Sequence, residues 1–200
     1  DGGWNDDILV GGRYHNGNMA WHESMPFGKY FRMGGAESPT GYVNPGPGRK
    51  TYFSDIGNYS INGGLTGGVT QLSSLAVYPN ESYAYYANSE VEYHPQCWNI
   101  LYLGYLNDLW KSEDGGNSFT VLHTFPGTAD NTVFDIEIAR SNPQVMYCSQ
   151  WDGADDAIWR SADGGQTWTK CTALPLPNNN DRVKLALSDT DAKVLWAALT

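Results

Sequence analysis

Apolar and polar residues alternate along short stretches of this chain, and the stretches return in a fixed order. Val91 and Tyr93 are followed by a polar segment at 94–99 and then by Ile100-Leu101-Tyr102. Ile136 and Ile138, the segment 139–144 and Val145-Met146-Tyr147 repeat that order. Leu185 and Leu187, the segment 188–193 and Val194-Leu195-Trp196 repeat it again. The steps are 45 residues from Ile100 to Val145 and 49 from Val145 to Val194. Alternation with a period of two predicts half-buried strands, and the polar segments predict the turns between them. Leu109-Trp110-Lys111 and Ile158-Trp159-Arg160 alternate in the same way and form a third strand in the first two copies.

The octet after that third strand is nearly the same in both copies. Ser112-Glu113-Asp114-Gly115-Gly116-Asn117-Ser118-Phe119 returns as Ser161-Ala162-Asp163-Gly164-Gly165-Gln166-Thr167-Trp168, with 49 residues between Asp114 and Asp163. An Asp in a tight turn accepts hydrogen bonds from backbone N–H groups just ahead of it. Two glycines supply the positive φ angles of a hairpin. Phe119 and Trp168 are large enough to anchor the turn against a core. Ser112, Asp114, Gly116 and Phe119, and Ser161, Asp163, Gly165 and Trp168, are thus structural residues. One unit reads strand A, turn, strand B, loop, strand C, Asp turn, strand D: a four-stranded antiparallel meander. Repeats of about 40–50 residues built this way predict an all-β fold of β-propeller blades.

The octets resemble the Asp-box (BNR) repeat of sialidase-like, xyloglucanase-like and sortilin-like β-propellers. The flanks Ser141-Asn142-Pro143-Gln144-Val145-Met146-Tyr147 and Ile158-Trp159-Arg160-Ser161 carry the same resemblance. In those families the Asp box is a structural turn, shared by hydrolases and receptors. The resemblance therefore implies a fold and leaves the function open.

The expected blades are residues 1–33, 41–87, 89–125, 133–174 and 183–200, the last incomplete. The first blade, 1–33, is expected to lack a strand A. The Gly-rich stretch 58–71 reads as an insertion, with 75–80 and 83–86 as an A–B-like pair or the tail of that blade. Propellers of the resembled families have more blades than this, so the chain is expected to be a segment of a larger one.

Twenty-three glycines, 13 tyrosines and eight tryptophans, with only 17% charged residues, suit tight turns and an aromatic core. A formal charge of −10 disfavours nucleic acid or an anionic membrane as partner. No apolar run is long enough for a membrane-spanning helix, so membrane insertion is not expected. Cys97, Cys148 and Cys171 are odd in number. Cys148 and Cys171 fall on non-adjacent strands of one blade, so buried free thiols are expected rather than a bridge.

In a meander the A–B turns and the Asp turns share one end. The B–C loops and D–A passages lie at the other, where propellers usually bind ligands. That end is expected to hold Arg13, His15, Asn16, Glu37, Asp130, Trp151, Asp152, Asp155, Asp156 and the run Asn178-Asn179-Asn180-Asp181. Amides and carboxylates bond hydroxyls and an indole stacks on a pyranose, so Arg13, His15, Asn16, Trp151 and Asp156 are candidate glycan contacts. Asp152, Asp155 and Glu37 are candidate carboxylates for glycoside hydrolysis, which needs two flanking the scissile bond. They read first as ordinary turn residues. No resident cofactor is implied. The stretch 152–156 has carboxylates for a Ca²⁺ but not the spacing of an EF-hand. No H-E-x-x-H spacing and no phosphate-binding loop occurs.

His15 stands where xyloglucanase-like chains often carry an Asp, and the arginines form no recognisable sialidase triad. No catalytic residue is therefore carried over from either family. Gly41-Tyr42-Val43-Asn44-Pro45-Gly46 and the general style are similar to large sortilin-like propeller proteins exported by gliding-type bacteria. That resemblance implies a secreted or cell-surface location, by the type IX route. The expected function is a recognition or adhesion scaffold for a glycan or a surface protein. The alternatives are a xyloglucanase-like glycoside hydrolase and a structural spacer in a surface assembly.

Overall fold

The computed structural model describes residues 8–13, 17–22, 25–32, 41–44, 50–53, 57–61, 69–71, 91–116, 118–127, 132–151, 156–172 and 182–199. All regular structure among them is β. The chain divides into one compact unit of residues 1–85 with 113–119, and another of 86–112 with 120–200.

In the first unit, β1 (Ile8–Arg13), β2 (Gly17–His22) and β3 (Phe31–Arg32) form an antiparallel meander in that order. A second meander is built from β4 (Gly41–Val43), β5 (Lys50–Phe53), β6 (Gly57–Ile61) and β7 (Val69–Gln71). Here the sequence reading is corrected. The stretch read as an insertion supplies strands three and four of a regular sheet, with Tyr59 facing Thr51 on one side and Gln71 on the other. Its Tyr59 and Ile61 keep the strand period, which the surrounding glycines obscure. Residues 75–80 and 83–86 lie outside the described residues.

The second unit holds the regular copies. β8 (Glu92–Tyr93), β9 (Leu101–Tyr105), β10 (Asp108–Ser112) and β11 (Thr120–Thr124) make one meander. β12 (Thr132–Ile138), β13 (Met146–Trp151), β14 (Ala157–Ser161) and β15 (Thr169–Lys170) make the next. β16 (Val183–Leu187) and β17 (Leu195–Leu199) pair as a hairpin.

The repeat in sequence is a repeat in hydrogen bonds. Between β8 and β9, His94 N donates to Ile100 O and Ile100 N to Cys97 O, both at 3.0 Å. Between β12 and β13, Ala139 N donates to Val145 O at 3.0 Å and Val145 N to Asn142 O at 2.9 Å. Between β16 and β17, Ser188 N donates to Val194 O and Val194 N to Asp191 O, both at 3.0 Å. Three unlike sequences thus close one turn, because its bonds are made by the main chain.

The octets close in the same way. Asp163 Oδ1 accepts from Gln166 N at 3.1 Å and Thr167 N at 2.9 Å, and Oδ2 from the Thr167 hydroxyl at 2.5 Å. Asp114 accepts from Ser118 N at 2.9 Å and from its hydroxyl at 2.6 Å. Both glycine pairs have positive φ, 69° and 84° at Gly115 and Gly116, 73° and 90° at Gly164 and Gly165. These bonds, the Thr167 hydroxyl first, hold the Asp163 carboxyl down at about 2. Gly164 N donates to Gln144 O at 2.9 Å, so the octet and the β12–β13 turn share an end.

Two cores flank the β12–β15 sheet. Ile136, Ile138, Met146 and Cys148 on one face meet Tyr102, Leu109 and Phe125 of the preceding sheet. Trp168 caps that core, its ring centroid 5.3 Å from Phe125 and its Nε1 bonded to Gly165 O at 2.8 Å. Tyr147, Ile158 and Val145 on the other face meet Val183 and Leu185 of β16, with Cys171 beside them. Cys148 and Cys171 therefore belong to opposite faces of one sheet, and all three thiols are free. Burial pushes the Cys148 thiol well up.

Candidate functional site

The end opposite the octets is where the next sheet is fastened on. The β9–β10 turn places Leu106 at φ 51°, and its carbonyl accepts from Val133 N at 2.7 Å. Asn107 O accepts from Phe125 N at 2.8 Å, and Asn107 Nδ2 donates to Phe125 O at 3.2 Å. The B–C turn of one sheet and the passage to the next thus lie together. Gln150, almost fully buried, extends the link: its Nε2 donates to Pro126 O at 2.9 Å and its Oε1 accepts from Trp159 Nε1 at 3.0 Å.

At this end the register of β12 slips. Val133 faces Gln150 and Asp135 faces Ser149, leaving Phe134 as the extra residue of a bulge. Bulges re-aim a side chain at the rim of a sheet. The Arg182 guanidinium, just ahead of β16, lies 5.3 Å from the Phe134 ring centroid and 5.3 Å from that of Trp151. Lys184 Nζ is 5.2 Å from the Phe134 ring and 3.6 Å from Asp135 Oδ1. Asp135, 6% exposed, accepts from Leu185 N at 2.7 Å through Oδ2. Trp151 closes β13. Asp156, also buried, stands just ahead of Ala157, the partner of Gln150.

Trp151 thus shares a rim with Phe134, Arg182 and Lys184, and Asp156 lies just ahead of β14 at the same end. Arg13 ends β1 in the other unit, paired with Gly17. His15, Asn16, Glu37, Asp130, Asp152, Asp155 and 178–181 lie outside the described residues. So does the Ca²⁺-type stretch apart from Asp156; among the described residues no cluster of three or more metal-ligating side chains occurs. Phe134, Arg182 and Lys184 were not among the sequence candidates. The alternation Arg182-Val183-Lys184-Leu185 carried the signal, since it marks 182 and 184 as the polar face of a strand.

One carboxyl has a value suited to acid–base work. Burial, then the charge of Asp135, raises Glu137 from 4.5 to about 7, opposed by the Leu187 N–H, Lys184 and Arg140. It lies further along β12, engaged by β16, and serves the joint between sheets. Ser149 Oγ donates to Val183 O at 2.7 Å in the same joint, and the Tyr147 hydroxyl to Ala192 O at 2.9 Å.

No family model matches the chain, and no curated protein matches it in sequence. Its fold is similar to that of solved structures. A GH74 enzyme from Niastella koreensis matches over 100% of this chain and 32% of its own, with 18% identity and a TM-score of 0.67. An ancestral GH74 enzyme matches over 99% and 28%, with 18% identity and a TM-score of 0.61. The GH74 xyloglucanase of Xanthomonas campestris matches over 84% and 28%, with 15% identity and a TM-score of 0.53. The chain spans about a third of the length of the first of these, 32%. Its antiparallel meanders are blades of the β-propeller type.

Proposed function

We propose that this chain is the glycan-recognising part of a secreted or surface-exposed β-propeller, binding a polysaccharide at the rim around Trp151. The observation that carries the reading is the convergence of Trp151 and Phe134 on the Arg182 guanidinium at the end where loops and passages meet. An indole offers an apolar face to a pyranose ring, and a carboxylate accepts from sugar hydroxyls. The similar structures are named as GH74 enzymes, one of them a xyloglucanase, which supports a polysaccharide as the ligand class. The same names favour a second reading, hydrolysis of the bound glycan with Asp152, Asp155 and Glu37 as candidate carboxylates. A structural spacer would do neither.

Affinity electrophoresis against a polysaccharide panel that includes xyloglucan tests the reading. Retardation that Trp151→Ala abolishes, with an unchanged melting temperature, is expected. Mobility unaffected by every glycan would refute it. Reducing ends released from the same panel, and lost in Asp152→Asn or Asp155→Asn, would establish hydrolysis over binding alone.

A further inference from the structure

Between β12 and β16 two carboxylates meet main-chain N–H groups in turn. Asp135 accepts from Leu185 N at 2.7 Å, and Glu137, two residues on, accepts from Leu187 N. Both cations that act on Glu137 are already engaged elsewhere. Lys184 Nζ lies 3.6 Å from Asp135 Oδ1, and Arg140 Nε 3.3 Å from Asp189 Oδ1. We propose that this seam is a proton-operated joint: a proton held on Glu137 keeps β16 seated on β12, and its loss loosens the Leu187 end of the β16–β17 hairpin.

The groups around Glu137 account for this. On its own strand Asp135, a like charge, is two residues away and buried. From β13, Tyr147 faces it, but the Tyr147 hydroxyl donates to Ala192 O at 2.9 Å and accepts from Arg160 Nε at 3.3 Å. From the turns, Arg140 and Asp189 have side chains 74% exposed, so water screens their pair. From β16, Lys184 is paired with Asp135, which leaves Glu137 as the member that holds the proton. Two ionised carboxylates side by side in a part-buried seam repel each other and lose hydration. A protonated Glu137 ends the repulsion and keeps a carbonyl oxygen for the Leu187 N–H.

Burial first, then Asp135, raises the Glu137 carboxyl from 4.5 to about 7, so the joint changes charge close to neutrality. The proton is bound more tightly in the seated state. Seating is therefore firmest below 4.5 and weakens as pH rises through about 7. The loosening is local, because Ser149 Oγ bonds Val183 O at 2.7 Å at the start of β16 without a titrating group. The N–H groups of Leu185 and Leu187 leave the hairpin on the β12 side. Bonding alternates along an antiparallel pair, so the Ala186 N–H points the other way, to β17, where Ala186 faces Trp196. Leu187 N thus reports on the seam and Ala186 N on the hairpin.

Hydrogen exchange resolved at single amides, corrected for the intrinsic rate at each pH, tests the inference on the folded protein. Protection of the Leu187 N–H should fall about tenfold or more between about pH 5.5 and about pH 8, the worth of roughly one unit of pKa shift, while that of Ala186 holds. Glu137→Gln keeps the carbonyl oxygen without the titrating proton, so Leu187 protection should stay level across the range. Level protection at Leu187 in the parent would overturn the inference. So would a fall shared equally by Ala186, or one that persists in Glu137→Gln. Should Glu137→Gln fail to fold, the carboxyl carbon resonance of Glu137 in the parent decides. A midpoint near 7 that tracks the loss of protection supports the joint, and one near 4.5 overturns it.

Discussion

Replacing Gly104 by alanine tests how closely consecutive blades are packed. Gly104 lies in β9, and a Cβ added there would stand 2.5 Å from Val133 Cγ1, 2.7 Å from Val133 Cβ and 2.6 Å from the Val133 carbonyl oxygen. Carbon atoms in contact prefer about 3.5–4.0 Å, so the deficit is roughly 1 Å. A rotamer change at Val133 could move Cγ1 alone. The carbonyl and Cβ are fixed by the β12 backbone, whose Val133 N–H is already bonded to Leu106 O at 2.7 Å. Relief therefore requires β9 and β12 to separate, opening gaps around fully buried Leu109 and Val133. Overpacking costs about 1–3 kcal/mol, and a backbone obstacle puts this site near ~3 kcal/mol. With a urea m-value of about 2 kcal/mol/M, the midpoint should fall by about 1.5 M at constant m. Adding Val133→Ala should not rescue the variant, since the Cβ and the carbonyl stay in place. A Gly104→Ala stability within ~0.5 kcal/mol of the parent, or complete rescue by Val133→Ala, would refute the reasoning.

Ser161→Ala should destabilise by about 1–3 kcal/mol in the same assay, because the Ser161 hydroxyl accepts from the Gly165 N–H at 2.9 Å in a buried turn. An unchanged midpoint would mean that water replaces the hydroxyl. Two carboxyls should shape stability against pH in opposite senses. Asp163 is lowered to about 2, so its contribution is present above 3.8 and is lost as pH falls through about 2. Glu137 is raised to about 7, so its contribution is full below 4.5 and is lost as pH rises through about 7. Glu137→Gln should therefore remove the decline in melting temperature between those two values, and a decline that persists would exonerate Glu137. Alkylation of the folded protein followed by mass spectrometry should modify Cys97 and Cys171 before Cys148, which is fully buried. A Cys148–Cys171 linkage in the native protein would contradict their placement on opposite faces.

The sequence made legible the features that the chain settles locally. The octets announce their turns because Asp163 and Thr167 are bonded four residues apart. β9 and β13 are buried on both faces, and the sequence shows each as a short apolar run, Leu101-Tyr102-Leu103 and Met146-Tyr147-Cys148, bounded by a turn segment. β6 was misread because Gly57, Gly63 and Gly64 dilute its apolar period. The rim was legible only in part. Trp151 and Asp156 flank a hairpin and are near neighbours in sequence, whereas Arg182 reaches Trp151 from the following sheet. Phe134 faces it only because β12 bulges, and no local pattern announces a bulge. Gln150 reads as an ordinary strand polar residue until Pro126 and Trp159 are seen on either side of it.

The joint between β12 and β16 divides its labour unevenly, and this bears on how the repeats can change over time. Asp135 and Glu137 supply specific carboxylates, while Leu185 and Leu187 answer with main-chain N–H groups. Every residue except proline carries that group. Positions 185 and 187 are therefore free to drift among apolar residues without losing these bonds, whereas 135 and 137 are held to acceptors of the right length. At this seam one lip can diverge while the other is held to its acceptors. A proline at 185 or 187, harmless by volume, would be the substitution that parts it.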